Sequence, residues 1–173
     1  RTLSDLAAAV ERIPETCLIV TFRPHAELRA EDLRALLPLS DRVALNTDIP
    51  FLDLLGMADL LVSFSSTTIE EALQNAVPVL LYGGQGRYQH VPAVQVLPGQ
   101  PCRPAPVYAV QQPVHLVNAL SDILEAAGAG VLPDALFRPY RYREEERCAL
   151  TDWLTAAASA PGGRDRSKST CPR

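Results

Sequence analysis

No apolar run in this 173-residue sequence approaches the roughly 20 residues that a membrane-spanning helix needs, so no span is expected. Cysteine is sparse: Cys17, Cys102, Cys148 and Cys171 lie far apart and show no C-x-x-C spacing. That argues against a zinc site or a disulfide framework and for reduced thiols in a cytosol, with Cys17 placed inside an apolar, strand-like run. Positive charge is also short, with 16 Lys and Arg against 20 Asp and Glu and a formal net charge of −4. Apart from a C-terminal cluster the basic residues are scattered, so no general attraction for nucleic acid or anionic lipid is expected. No acidic D-x-D cluster offers to hold a metal, and no signal-peptide pattern precedes the first periodic segment. The sequence opens on Arg1 and is read as a piece of a longer, cytoplasmic chain.

What is present is the composition of a globular domain, 47% hydrophobic and 21% charged, at a length suited to one domain with a real core. Leu3, Leu6, Val10 and Ile13 recur at helical spacing, with Ser4 and Asp5 available as caps and Pro14 as the stop. The run from Cys17 to Phe22 reads as a strand buried on both faces, as in a parallel sheet covered by helices. The cycle then repeats: helix 30–37, strand 42–45, helix 50–57, strand 60–64, helix 68–75, strand 77–82. Strict alternation with short connections predicts a Rossmann-like, doubly wound parallel sheet. Weaker strands are expected at 93–97 and 107–110, on either side of a proline-rich loop, followed by helices at 113–127 and 142–157. Residues 161–173 lose all periodicity and are expected to form a disordered tail.

In an open α/β sheet ligands bind beyond the carboxyl ends of the strands. One such turn carries four consecutive hydroxyl side chains, Ser65, Ser66, Thr67 and Thr68, ahead of a helix. Unpaired first-turn N–H groups and the helix dipole favour an anion there, and hydroxyls add donors for a phosphate. Ordinary N-capping by Ser66 or Thr67, with Glu70 or Glu71 completing a capping box, accounts for one hydroxyl and leaves the others over. Glu71, one turn on, is placed to accept both hydroxyls of a ribose, whereas Glu70 suits the dipole of the helix itself. Arg87, with Tyr88 and His90 on the glycine-rich stretch 83–93, is a candidate phosphate ligand on a closing loop, and an ordinary surface connection reads equally well. His115 is assigned to structure.

The segment "ADLLVSFSSTTIEEALQNAVPVLLYGG", 58–84, resembles the nucleotide-binding core of the C-terminal domain of glycosyltransferases with the GT-B fold. A strand ends there in a Ser/Thr turn, a helix carries Glu71 before a small residue, and Ala76-Val77-Pro78-Val79 stands for that family's G-x-P-V step. Alanine at position 76 gives up the freedom glycine has at positive φ. Pro24-His25 after the first strand is similar to the histidine-proline motif of bacterial polysaccharide-building transferases, including sialyltransferase-like, Kdo-transferase-like and glycerophosphotransferase-like families, with the order of the two residues reversed.

The resemblance implies that His25, beside Arg23, stabilises the departing phosphate of a nucleotide sugar without metal or other cofactor. It also implies that 1–160 is the donor-binding half, without its first strand. Its partner would be an N-terminal acceptor-binding domain or a separate chain, and any contact with a membrane surface would be made through that part. The alternatives are a catalytically silent binding or assembly module on the same scaffold and half of a sugar-nucleotide epimerase.

Overall fold

The computed structural model describes residues 2–22, 29–64, 66–83, 91–100, 102–130 and 132–141, together with Asp152 and Thr155. The chain divides into two compact units, Arg1–Arg141 and Tyr142–Arg173. In the second unit Asp152 and Thr155 are helical; the rest of the expected helix 142–157 and the expected tail lie outside the described residues.

The first unit is an α/β fold of Rossmann-like, doubly wound type. Its elements alternate as α1 (Thr2–Val10), β1 (Leu18–Thr21), α2 (Ala30–Leu36), β2 (Val43–Asn46), α3 (Phe51–Leu55), β3 (Leu61–Ser63), α4 (Thr68–Gln74) and β4 (Val79–Tyr82). There follow β5 (Val94–Gln95), β6 (Val107–Val110), a 3-10 turn at Pro113–His115 and α5 (Leu116–Gly128). Every strand pairing is parallel, in two sheets of order β1-β2 and β3-β4-β6-β5. Where 93–97 was expected as a strand, only two exposed residues at the sheet edge pair.

Alternation along β4 and β6 divides the core in two. Leu80, Tyr82, Tyr108 and Val110 face α1 and α5, packing on Leu6, Ala9, Leu116, Ala119 and Ile123. Val79, Leu81, Val107 and Ala109 face the other way, onto Leu55 of α3 and Ile69, Ala72 and Leu73 of α4. With both faces covered, these strands need no polar face, which is why β4 and β6 are apolar and buried at all four positions.

The first strand departs from its expected double burial. Val20 is buried with Leu33 of α2 and Leu37 at its C-cap, and Leu3 of α1 packs on the same cluster. Ile19, pointing the other way, is 46% exposed, and its pairing neighbour Ala44 is exposed too. Cys17 lies outside the strand and is exposed. One face of β1 and β2 therefore has no cover among the described residues, and an apolar run alone does not reveal how many faces a neighbour will shield.

Helix α4 ends in a Schellman motif. The Val77 N–H donates to Ala72 O at 2.9 Å and the Ala76 N–H to Leu73 O at 3.2 Å. That closure needs a left-handed residue between, and Ala76 supplies it at φ 59°. The sequence suggested that alanine forfeits this conformation; the structure holds it there, because two hydrogen bonds and the burial of Val77 in the α4 core outweigh the strain.

Candidate functional site

Within each sheet the described strands run the same way, so each sheet collects its carboxyl ends at one edge. Ser63 pairs with Leu81, which sets Phe64 level with Tyr82 and places the turn into α4 beside the turn that follows β4. Helix α1 starts at the same edge: a Cβ built on Gly83 would lie 2.5 Å from Thr2 Cγ2. Gly83 also has φ 89°, so this position requires glycine for both conformation and space.

Within the hydroxyl stretch the roles divide. Ser66 is half-buried, and its Oγ accepts the Thr68 N–H at 3.3 Å while its carbonyl accepts the Ile69 N–H at 3.1 Å. Thr67, the residue before the helix, is αR and makes no side-chain cap. Its carbonyl accepts the Glu71 N–H at 3.4 Å. The ordinary capping role thus belongs to Ser66. Among the described residues the hydroxyls of Thr67 and Thr68 and the carboxylate of Glu71 engage no side chain. Glu71 is half-buried and Glu70 exposed, although position 71 lies off the buried stripe of Ile69, Ala72 and Leu73.

Ser66, Thr67, Thr68 and Glu71 are therefore brought together on the first turn of α4. Ser65, Arg23, His25 and Arg87, with Tyr88 and His90, lie outside the described residues. In the sequence Arg23 and His25 come shortly after the carboxyl end of β1.

Two features of that edge were not legible in the sequence. Asp5 accepts a hydrogen bond from the Tyr82 hydroxyl at 2.9 Å, tying the first turn of α1 to the end of β4 across 77 residues. Asp5 had read as a cap, and nothing local reveals so distant a partner. The second is a shallow cleft of about 280 Å³ beyond β5, between 96–100 and α5, with His115, Asn118 and Asp122 among its lining residues. A second cleft, about 270 Å³, opens at the opposite edge around Asp59, Ala76 and Pro78. The α4 residues line neither.

Beside the first cleft, burial pushes the Cys102 thiol up and the Asp122 carboxylate adds to that, while a hydrogen bond from Tyr108 acts against it. Tyr108 is raised chiefly by burial, opposed by the Ala105 N–H that donates to its hydroxyl at 2.9 Å. Both groups are held neutral, so this corner is a packed joint without a reactive thiolate. Among the described residues no cluster of three or more His, Cys, Asp or Glu could hold a metal ion, and no helix is long and apolar enough to cross a membrane. Comparison of the chain with protein-family models, with curated proteins and with solved structures found no match.

Proposed function

We propose that this chain is the donor-binding part of a transferase of GT-B type that moves a sugar, or a related group, from a nucleotide-activated donor to a polysaccharide or glycolipid acceptor. The supporting observation is the first turn of α4. Among the described residues Ser66 alone caps it, and this leaves the Thr67 and Thr68 hydroxyls, with half-buried Glu71 one turn on, at the carboxyl edge of a parallel sheet. A phosphate at that turn would accept hydrogen bonds from the threonine hydroxyls, and Glu71 would accept those of the ribose. Residues that follow β1, Arg23 and His25, would stabilise the charge that develops on the leaving phosphate. The acceptor and the general base would come from another domain or chain.

Calorimetric titration of the chain with UDP, CDP, CMP and GDP tests the reading. One of these nucleotides is expected to bind, with Thr67→Ala and Glu71→Ala weakening it about tenfold each, the loss of about one hydrogen bond to a charged group. Ser66→Ala instead is expected to lower folding stability by about 1 kcal/mol, as loss of a cap does. If no nucleotide binds at millimolar concentration, the reading fails.

A further inference from the structure

Among the described residues the two sheets are not hydrogen-bonded to each other, and each has two edge strands, β1 and β2 in one and β3 and β5 in the other; β1 on the side away from β2 and β3 on the side away from β4 pair with no described residue. The direction of each backbone amide follows from the parallel register. Leu18 donates to Arg42 O toward β2 and Leu61 donates to Pro78 O toward β4. Successive residues of a strand point their amides to alternate sides. Ile19 and Thr21 therefore aim N–H and C=O groups away from β2, and Val62 aims them away from β4.

The helices fix how these edges stand. Leu3 of α1, Leu33 of α2 and Leu37 at its C-cap pack in one cluster with Val20 and Leu18, so both helices lie on one face of β1 and β2. On that face β1 leads through α2 to β2. A right-handed crossover on the same face into β1 through α1 must start from a strand on the far side of β1 from β2. Helix α4 lies on the opposite face and joins β3 to β4, so right-handed winding there proceeds in the opposite direction. The two winding directions diverge from a common place, between β1 and β3. Helix α1 spans it: its Leu6 and Ala9, with Ile13 just beyond it, pack on the core of the larger sheet, and Leu18 of β1, Val62 of β3 and Leu60 just ahead of β3 border that same cluster. Its first turn abuts Gly83 at the carboxyl edge, and its last leads by way of 11–17 to the start of β1. That is the course of a helix linking two parallel strands, of which β1 is the second.

We infer that the slot between β1 and β3 takes a seventh parallel strand, apolar and about four residues long like β1 and β2, supplied by polypeptide leading directly into Thr2. Pairing on both sides would join the two sheets into one of order β2-β1-new-β3-β4-β6-β5 and make its carboxyl end the switch point at which doubly wound sheets bind ligands. The inference rests on topology and holds whichever ligand the site takes.

The test is amide hydrogen exchange at Ile19, Thr21 and Val62. The 173-residue chain is compared with the same chain carrying a six-residue Val/Ile/Thr-rich extension ahead of Arg1, and with an extension holding two prolines. The same hexapeptide is also added free to the unextended chain. Exchange at the three amides is expected to slow by about tenfold or more with the strand-forming extension, and with excess free peptide, but not with the proline version. Unchanged exchange in both formats overturns the inference. So does slow exchange in the unextended chain: if it is independent of concentration the edges are already paired, and if it rises with concentration a second copy supplies the strand.

Discussion

Replacing Ala76 by glycine should stabilise the protein although it deletes a methyl group. Ala76 stands at φ 59°, where an L-residue loses about 1–2 kcal/mol relative to the right-handed region. Glycine removes that strain. Against it stand the greater freedom of glycine in the unfolded chain, about 0.4–1 kcal/mol, and the loss of a half-buried methyl, about 0.4 kcal/mol if half of a fully buried group is lost. The balance is a gain of about 0.5 kcal/mol, read as a urea midpoint shift at unchanged m and a rise of about 1–2 °C in melting temperature. A β-branched residue cannot adopt this conformation cheaply, so Ala76→Val should cost about 1 kcal/mol or more despite its larger apolar area. Asparagine should fall near alanine. The expected order is Gly, then Asn and Ala, then Val. If Ala76→Val matches Ala76→Gly, or glycine destabilises by more than about 1 kcal/mol, burial and not backbone conformation governs the end of α4.

Gly83→Ala should destabilise by about 2 kcal/mol or more, since the new Cβ meets Thr2 and φ is positive; the Thr2→Ala background should recover only the steric part, measured by a double-mutant cycle. Arg42 donates from its guanidinium to the carbonyls of Glu11, Ile13 and Thr16, binding the loop after α1 to the start of β2. Arg42→Ala should therefore cost about 2 kcal/mol in denaturant melts, and Arg42→Lys should recover little because an ammonium cannot span three carbonyls in a fixed fork. Tyr108→Phe orphans the buried Ala105 N–H and should cost about 1–3 kcal/mol. Because the folded state raises the affinity of Cys102 and Tyr108 for their protons, stability contributed by their neutral forms is complete below the ordinary thiol and phenol ranges. It should begin to fall above about 8.5 for the thiol and above about 10 for the phenol, and continue to fall until the raised folded values are passed, and Tyr108→Phe should remove the second of these losses in melts taken across that range.

The fold was legible because β4 and β6 are covered on both faces: an unbroken apolar run such as Val79–Tyr82 has one cheap solution, a strand between layers of helices. The same rule over-read β1, where Cys17 and Ile19 proved exposed, since local sequence carries the apolarity of a segment but not the presence of its neighbours. Of the candidate site, the capping at the first turn of α4 was legible: four hydroxyls exceed what one cap uses, and among the described residues Ser66 is the one whose side chain caps. The Asp5 to Tyr82 bond and the approach of Thr2 to Gly83 were not, because each joins residues about 80 positions apart and depends on where α1 crosses the sheet. The double glycine at Gly83 and Gly84 was the one local hint, and it reads equally well as a flexible loop.

The uneven core ties the strand to the ligand. Among the described residues the buried cluster around β1 and α2 holds only Val20, Leu33 and Leu37, whereas each cluster on the larger sheet buries many more side chains. Burial in proportion to area makes β1 and β2 the part of the unit that opens at lowest free energy. Yet Arg23 and His25 follow directly on β1, so a ligand held on the first turn of α4 and on those residues would be gripped from one firmly packed element and one loosely packed element. Binding would then have to include the work of fixing β1. A strand in the slot would do that work beforehand, through backbone hydrogen bonds to Ile19 and Thr21 on one side and Val62 on the other. Strand pairing and ligand binding would therefore be coupled with positive sign, and each would raise the affinity for the other by the same factor.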